Sequence, residues 1–364
     1  MRKLSCLLLS LLLLTGCIRT TSPSSEEIAL PSAISSEITL PADVSSEISD
    51  EAEDSPIEDD LPAQPDDQPQ PTSFLRLAYL PVNAVPAQTD SLLSDYREQL
   101  AALDAVILNT GVYWNQDGEL AISSEWLQTV QTLQPTIDLW CTVNPKGALI
   151  REGAAGQTLA TEEQREALAQ TVADFADEYQ LSGIDIDWEF PQPEEWQDFA
   201  DFLTRLHAKL GDKTLSLALY PQPLSLSEQE ASALASAVDF VNIMAYDQFD
   251  QNGCHSTLQT AQEAVSFFRS MGFSSDQLIL GIPAYGRPLD GSAQWLLYRD
   301  IDPDTISPDD PNLAGNFWFN SPQLVRQKAD FARKEQLAGV MLYHLLCDRT
   351  DSKSLTLCLS GQES

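Results

Sequence analysis

The chain has 364 residues, with 55 acidic side chains against 20 basic ones, a formal charge of -35 and 43% hydrophobic residues. That composition supports a folded core of ordinary size. It excludes binding to nucleic acid or anionic lipid headgroups, because a surface this acidic repels polyanions.

In chain order, Arg2 and Lys3 precede an apolar run from Leu4 to Leu14, and Leu14-Thr15-Gly16-Cys17 follows. A basic start, an apolar stretch too short for a comfortable membrane span and small residues at its end read as a secretion signal over 1–17. The last four residues resemble the bacterial lipobox. The resemblance implies that Cys17 is lipidated, so that the chain is an exported lipoprotein anchored to a membrane on its extracytoplasmic side; an ordinary signal peptide with a chance cysteine is the alternative.

Residues 18–73 carry fourteen acids, eight prolines and no aromatic side chain. Nothing there can be buried to offset the entropy of ordering the chain, so the segment is expected to be a disordered, extended linker.

From residue 74 to 364, short apolar or β-branched runs alternate with segments of helical period. Strands are predicted at 75–80, 105–109, 136–143, 183–188, 214–220, 240–245, 278–283 and 339–343, with helices between them such as 162–179, 194–210, 257–271 and 322–335. Eight βα pairs in this length fit an α/β fold of the (β/α)8 TIM-barrel type. An open doubly wound sheet is the alternative, but no Gly-rich phosphate turn follows any strand. In a barrel of this kind, chemistry belongs at the carboxyl ends of the strands.

The fourth predicted strand, Gly183-Ile184-Asp185-Ile186-Asp187-Trp188-Glu189, alternates apolar and acidic residues. Asp185, Asp187 and Glu189 therefore share one face, and Ile184, Ile186 and Trp188 the other. A strand with its acids toward water would show the same alternation, but parallel barrel strands are covered on both faces, which turns the acids inward. Three inward carboxylates cannot all stay ionised at reduced dielectric, and a held proton is the condition for a general acid. Glu189, at the carboxyl end, is the expected proton donor. The other two stand behind it rather than across a scissile bond, so a glycosidase built this way needs a substrate that supplies its own nucleophile.

This strand resembles the catalytic signature of glycoside hydrolase family 18, the chitinases and endo-β-N-acetylglucosaminidases. Asn242-Ile243-Met244-Ala245-Tyr246-Asp247, Gly281-Ile282-Pro283-Ala284-Tyr285-Gly286-Arg287, Phe319-Asn320-Ser321-Pro322 and Gly339-Val340-Met341-Leu342 resemble further family segments in family order. The resemblance implies retaining, substrate-assisted hydrolysis of β-1,4 bonds next to N-acetylglucosamine. Glu189 would be acid and then base, Asp187 would orient the acetamido group with Asp185 behind it, and Tyr246 would hydrogen-bond that group. Asp247, Tyr79, Tyr343 and Arg287 are the implied sugar contacts. Trp114 and Trp196 are candidate stacking platforms, with core packing as the competing reading.

Several departures from the family pattern bear on substrate. Ser182 replaces a frequent aspartate, and Tyr343 stands where many members place a tryptophan. Trp140-Cys141-Thr142 lacks the Ser-x-Gly-Gly of many chitinases, leaving Thr142 as the hydroxyl near Asp185. The span from Arg287 to Gly339 leaves no room for a large α+β insertion, so a shallow groove is expected.

His207, His255 and His344 have no metal-ligand spacing, so neither metal nor cofactor is expected. Cys141, Cys254, Cys347 and Cys358 permit a disulfide without requiring one, Cys347 with Cys358 being conceivable. The partner that the resemblance implies is an N-acetylglucosamine-containing saccharide, chitin or its oligomers first, and the protein is expected to be a monomer. Action on an N-glycan core or peptidoglycan, or a catalytically weak lectin on the same barrel, are the alternatives.

Overall fold

The computed structural model describes residues 74–85, 89–151, 153–188, 191–221 and 226–361. The secretion signal, the linker and Glu189 lie outside these residues. Eight parallel strands close into a barrel: β1 (Leu75–Pro81), β2 (Ala105–Asn109), β3 (Asp138–Thr142), β4 (Gly183–Ile186), β5 (Thr214–Leu219), β6 (Phe240–Ile243), β7 (Leu278–Pro283) and β8 (Gly339–Tyr343). Each strand pairs with its sequence neighbours, and β8 closes on β1 through Leu75↔Gly339 to Ala78↔Leu342. The predicted TIM barrel is therefore the observed one, with all eight strands at the predicted places.

Helices fill the connections: α1 (Thr89–Asp95), α2 (Arg97–Ala101), α3 (Ser124–Leu133), α4 (Gly147–Arg151), α5 (Glu162–Glu178), α6 (Trp196–Leu210), α7 (Glu228–Ala237), α8 (Leu258–Ser270) and α9 (Pro322–Lys334). Local sequence fixes several starts. Thr161 and Gln164 form a reciprocal capping box at α5, Ser227 and Glu230 another at α7, and Ser321 caps α9 ahead of Pro322. None of the described helices is long and apolar enough to cross a membrane.

Alternation along the strands divides the apolar side chains into two layers. Ile184, Ile186 and Trp188 pack with the helices in the larger one, whereas Tyr79, Trp140, Tyr246 and Met341 belong to a second cluster inside the barrel. Trp140 reaches inward over Gly183, where a Cβ would sit 2.8 Å from the indole ring. A side chain at 183 would have to displace that ring.

Two short excursions leave the barrel. Val112–Trp114 pairs with Leu120–Ile122 and with Asn144–Pro145. After β7, Tyr285–Pro288, Leu296–Leu297, Leu313–Ala314 and Phe317–Trp318 make a four-stranded antiparallel sheet, with no α-helix among residues 284–321.

The stacking role considered for Trp114 and Trp196 does not hold: both indoles are buried in the core. Trp114 packs on Phe202 and donates from Nε1 to Thr158 Oγ1 at 3.1 Å, and Trp196 opens α6 against Phe199. Neither indole leaves a face open to a sugar. Nor does Cys347 pair with Cys358. All four described cysteines are free thiols, and Cys347 Sγ lies 3.1 Å from His344 Nε2.

Trp114→Ala is expected to lower the unfolding free energy by about 3–5 kcal/mol, the usual cost of emptying a buried tryptophan site. The measurement is the denaturant midpoint, and a midpoint equal to wild type would remove Trp114 from the core.

Candidate active site

Barrel register sets Thr142, Asp185 and Ser216 side by side on β3, β4 and β5. Asp185 has no solvent exposure, and its carboxylate accepts four hydrogen bonds. They come from Tyr79 Oη at 2.9 Å, Thr142 Oγ1 at 3.3 Å, Ser216 Oγ at 2.6 Å and Asn242 Nδ2 at 3.0 Å. Asn242 also donates to Ser216 Oγ at 3.2 Å, which orients the hydroxyl. Burial pushes the Asp185 pKa up, and the four donors offset part of that rise. Burial and the adjacent carboxylate push the Tyr79 phenol well above its ordinary range, so it stays a donor.

β4 ends at Ile186, and Asp187 follows half-buried, its backbone N–H donating to Asn144 Oδ1 at 2.8 Å. Asn144 thus holds the strand exit at Asp187.

A second group lies just past β6. Asp247 takes a left-handed backbone at φ 61°, a conformation aspartate tolerates better than most residues. Its carboxylate accepts from Tyr285 Oη at 2.8 Å and from Arg287 Nη1 at 2.7 Å. The Arg287 guanidinium also lies over the Phe249 ring, 5.4 Å from its centroid. Burial raises the Asp247 pKa against the pull of the Arg287 cation. His255 Nδ1 stands 3.8 Å from Asp247 Oδ1, but burial, aided by Lys328 and Arg287, pushes its pKa down to about 3. The imidazole is therefore neutral near pH 7, and Arg287 carries the charge opposite Asp247.

Aromatic rings join the two groups. Tyr343 lies 5.7 Å from Tyr79 and stacks on Tyr246 at 5.4 Å, and Tyr246 meets Tyr285 edge-on at 6.4 Å. Trp295 stacks flat on Tyr285 at 3.8 Å and 2° and is 43% exposed. Tyr246 seats against Gly281, where a Cβ would fall 2.3 Å from the Ile243 carbonyl oxygen and 3.0 Å from the Tyr246 ring.

The structure thus brings Asp185, Tyr79 and Thr142 into one group and Tyr246, Asp247, Arg287 and Tyr343 into another beside it. Asp187 sits at the strand exit, Trp114 and Trp196 stand in the core, and Arg287, implied as a sugar contact, is engaged by Asp247. Sequence reasoning missed Ser216, Asn242, Tyr285 and Trp295 as members. Ser216 and Asn242 were legible as polar residues on inward positions of β5 and β6. Tyr285 lay inside a recognised segment without a role, and Trp295 carried no periodic signal at all.

A closed (β/α)8 barrel with buried carboxylates and tyrosines at the carboxyl ends of its strands defines an enzyme-type site of the TIM-barrel class. The model of Glycosyl hydrolases family 18 matches residues 63–348, and the chain belongs to that family. It is 28% identical over 173 residues to Chitinase A1 of Niallia circulans, which covers 37% of this chain and 25% of that protein. In fold it resembles a chitinase from Bacteroides thetaiotaomicron, with a TM-score of 0.67 and 18% identity over 79% of this chain and 95% of that one. A class V chitinase from Nicotiana tobaccum in complex with NAG4 superposes with a TM-score of 0.61 and 18% identity, over 80% of this chain and 100% of that one.

Arg287→Met is expected to cost about 3–5 kcal/mol at neutral pH, because it strands a buried carboxylate. Asp247 already holds its proton to higher pH folded than unfolded, and losing the cation widens that window. The gap in stability from wild type should therefore grow as pH rises through the acidic range and close toward low pH, where Asp247 is neutral. Denaturant midpoints across that range measure it, and a pH-independent gap would contradict it.

Proposed function

We propose that this chain hydrolyses β-1,4 bonds on the reducing side of N-acetylglucosamine, in chitin or chito-oligosaccharides first, with retention and with the substrate's own acetamido oxygen as nucleophile. The observation that carries this reading is the state of Asp185. A carboxylate with no exposure and four hydrogen bonds is not available to attack an anomeric carbon. Family membership and the NAG4 complex of the tobacco relative support a saccharide of this class.

In this mechanism Glu189, two residues beyond Asp187, protonates the leaving glycosidic oxygen while the acetamido oxygen bonds to the anomeric carbon and the C–O bond breaks. Glu189 then takes a proton from water, whose oxygen opens the resulting oxazolinium ring, and the enzyme returns to its starting protonation state. Asp187 and the Tyr246 hydroxyl orient and stabilise the acetamido group as positive charge develops. The buried Asp185 supplies a second negative centre behind Asp187. The N-glycan core and peptidoglycan present the same acetamido chemistry and are the nearest rival substrates. Tyr343 in place of a broader indole, with an excursion after β7 that carries no α-helix, favours short or loosely held saccharides.

A lipid on Cys17 would hold the enzyme outside the cytoplasm at the end of the acidic linker, a reading supported by the basic start, the apolar run and Leu14-Thr15-Gly16-Cys17. Cys17→Ser should move the protein from the membrane to the soluble fraction on ultracentrifugation; continued sedimentation with membranes would refute the anchor.

Glu189→Gln is expected to reduce the release of chromophore from chitobiose and chitotriose glycosides by at least about a hundredfold, the scale of general-acid removal. Slow turnover, equal in both proteins, would favour a lectin. Equal cleavage of a substrate lacking the N-acetyl group would overturn the substrate-assisted mechanism.

A further inference from the structure

Lys328, on α9, is fully buried, and no ion pair to it is found among the described residues. Its Nζ donates instead to two atoms of one residue, the Ser256 carbonyl oxygen at 2.6 Å and Ser256 Oγ at 2.8 Å. Burial drives its pKa well below the ordinary lysine range. Two N–H donors of the amine are thus used on one residue, one on each Ser256 acceptor.

Ser256 lies on the return limb of the segment that connects β6 to α8 and carries Tyr246 and Asp247. Ser256 Oγ donates to the Ala245 carbonyl at 2.6 Å, directly before Tyr246, and its backbone N–H donates to the Gln248 carbonyl at 3.2 Å, directly after Asp247. Serine at φ 51° is in a backbone region that persists only where the surroundings impose it. Lys328 and Asn320, whose Nδ2 donates to the same carbonyl at 3.2 Å, impose it from outside the segment. A serine with a lysine at 2.8 Å also has the make-up of a nucleophile and its base, but both residues have no exposure, so no substrate reaches the hydroxyl.

We propose that Lys328 is a positioning residue for the site: its two hydrogen bonds fix Ser256, Ser256 fixes the backbone on both sides of Tyr246 and Asp247, and the two side chains are thereby held in register with the Asp185 group. The inference deepens the proposed function, because it assumes that these two residues serve the sugar. It explains why a helix on the outside of the barrel spends a lysine where an apolar residue would pack without loss of solvation.

The test uses the full chain and the variants Lys328→Met, Ser256→Ala and the double variant. Amide hydrogen exchange is read on the 244–257 segment and on β7, and turnover is read on a chromogenic chitotrioside. Lys328→Met should speed exchange in 244–257 by about tenfold or more while β7 stays protected. Its kcat should fall at least about tenfold, since small misplacements of reacting groups are costly. Ser256→Ala should do the same, and the double variant should be no worse than the poorer single one, the signature of two residues acting through one path. Unchanged protection of 244–257 with kcat within about twofold of wild type would overturn the proposal, as would additive losses in the double variant. If Lys328→Met fails to fold, Ser256→Ala alone decides by the same readings. If the wild type cuts no chitotrioside, the functional reading fails, and the exchange comparison still decides the role of Lys328.

Discussion

A single carboxylate without access to water organises this barrel. Asp185 would be costly to bury alone, and its cost is met by donors drawn from four other strands: Tyr79 on β1, Thr142 on β3, Ser216 on β5 and Asn242 on β6. The donors reach it only if the barrel is closed and in register, so the polar web and the strand pairing depend on each other. Each donor lost leaves a charge harder to hold, which couples the integrity of the site to that of the fold.

The second group is built on a different principle. Asp247 is held by one strand outside the barrel, which brings both Tyr285 and Arg287, while the backbone beneath it is braced by Ser256, Lys328 and Asn320. Neutral His255 between them leaves the Arg287 cation as the charge that Asp247 answers to. One half of the site is thus secured by strand register and the other by a folded loop and a small sheet.

How much of this could be read from the sequence follows from the same division. Period-two alternation marks inward residues directly, so the eight strands, the inward turn of Asp185 and the hydroxyl of Thr142 were all legible. Ser216 and Asn242 were visible as inward polar residues, but what they bind depends on which strands are neighbours. The loops carry no such period. Trp114 and Trp196 have the composition of sugar platforms and are assigned to the core only by the tertiary packing that buries them, and Trp295 joins the site because the excursion after β7 folds back onto Tyr285.

The Tyr285–Trp295 stack has an optical consequence. Trp295 is the most exposed indole among the described residues, and it lies flat on the phenol whose hydroxyl binds Asp247. Collisional quenchers in solution will reach its emission ahead of the buried tryptophans. Anything that slides over or parts the stacked pair therefore writes itself into the fluorescence of the native chain, without a dye.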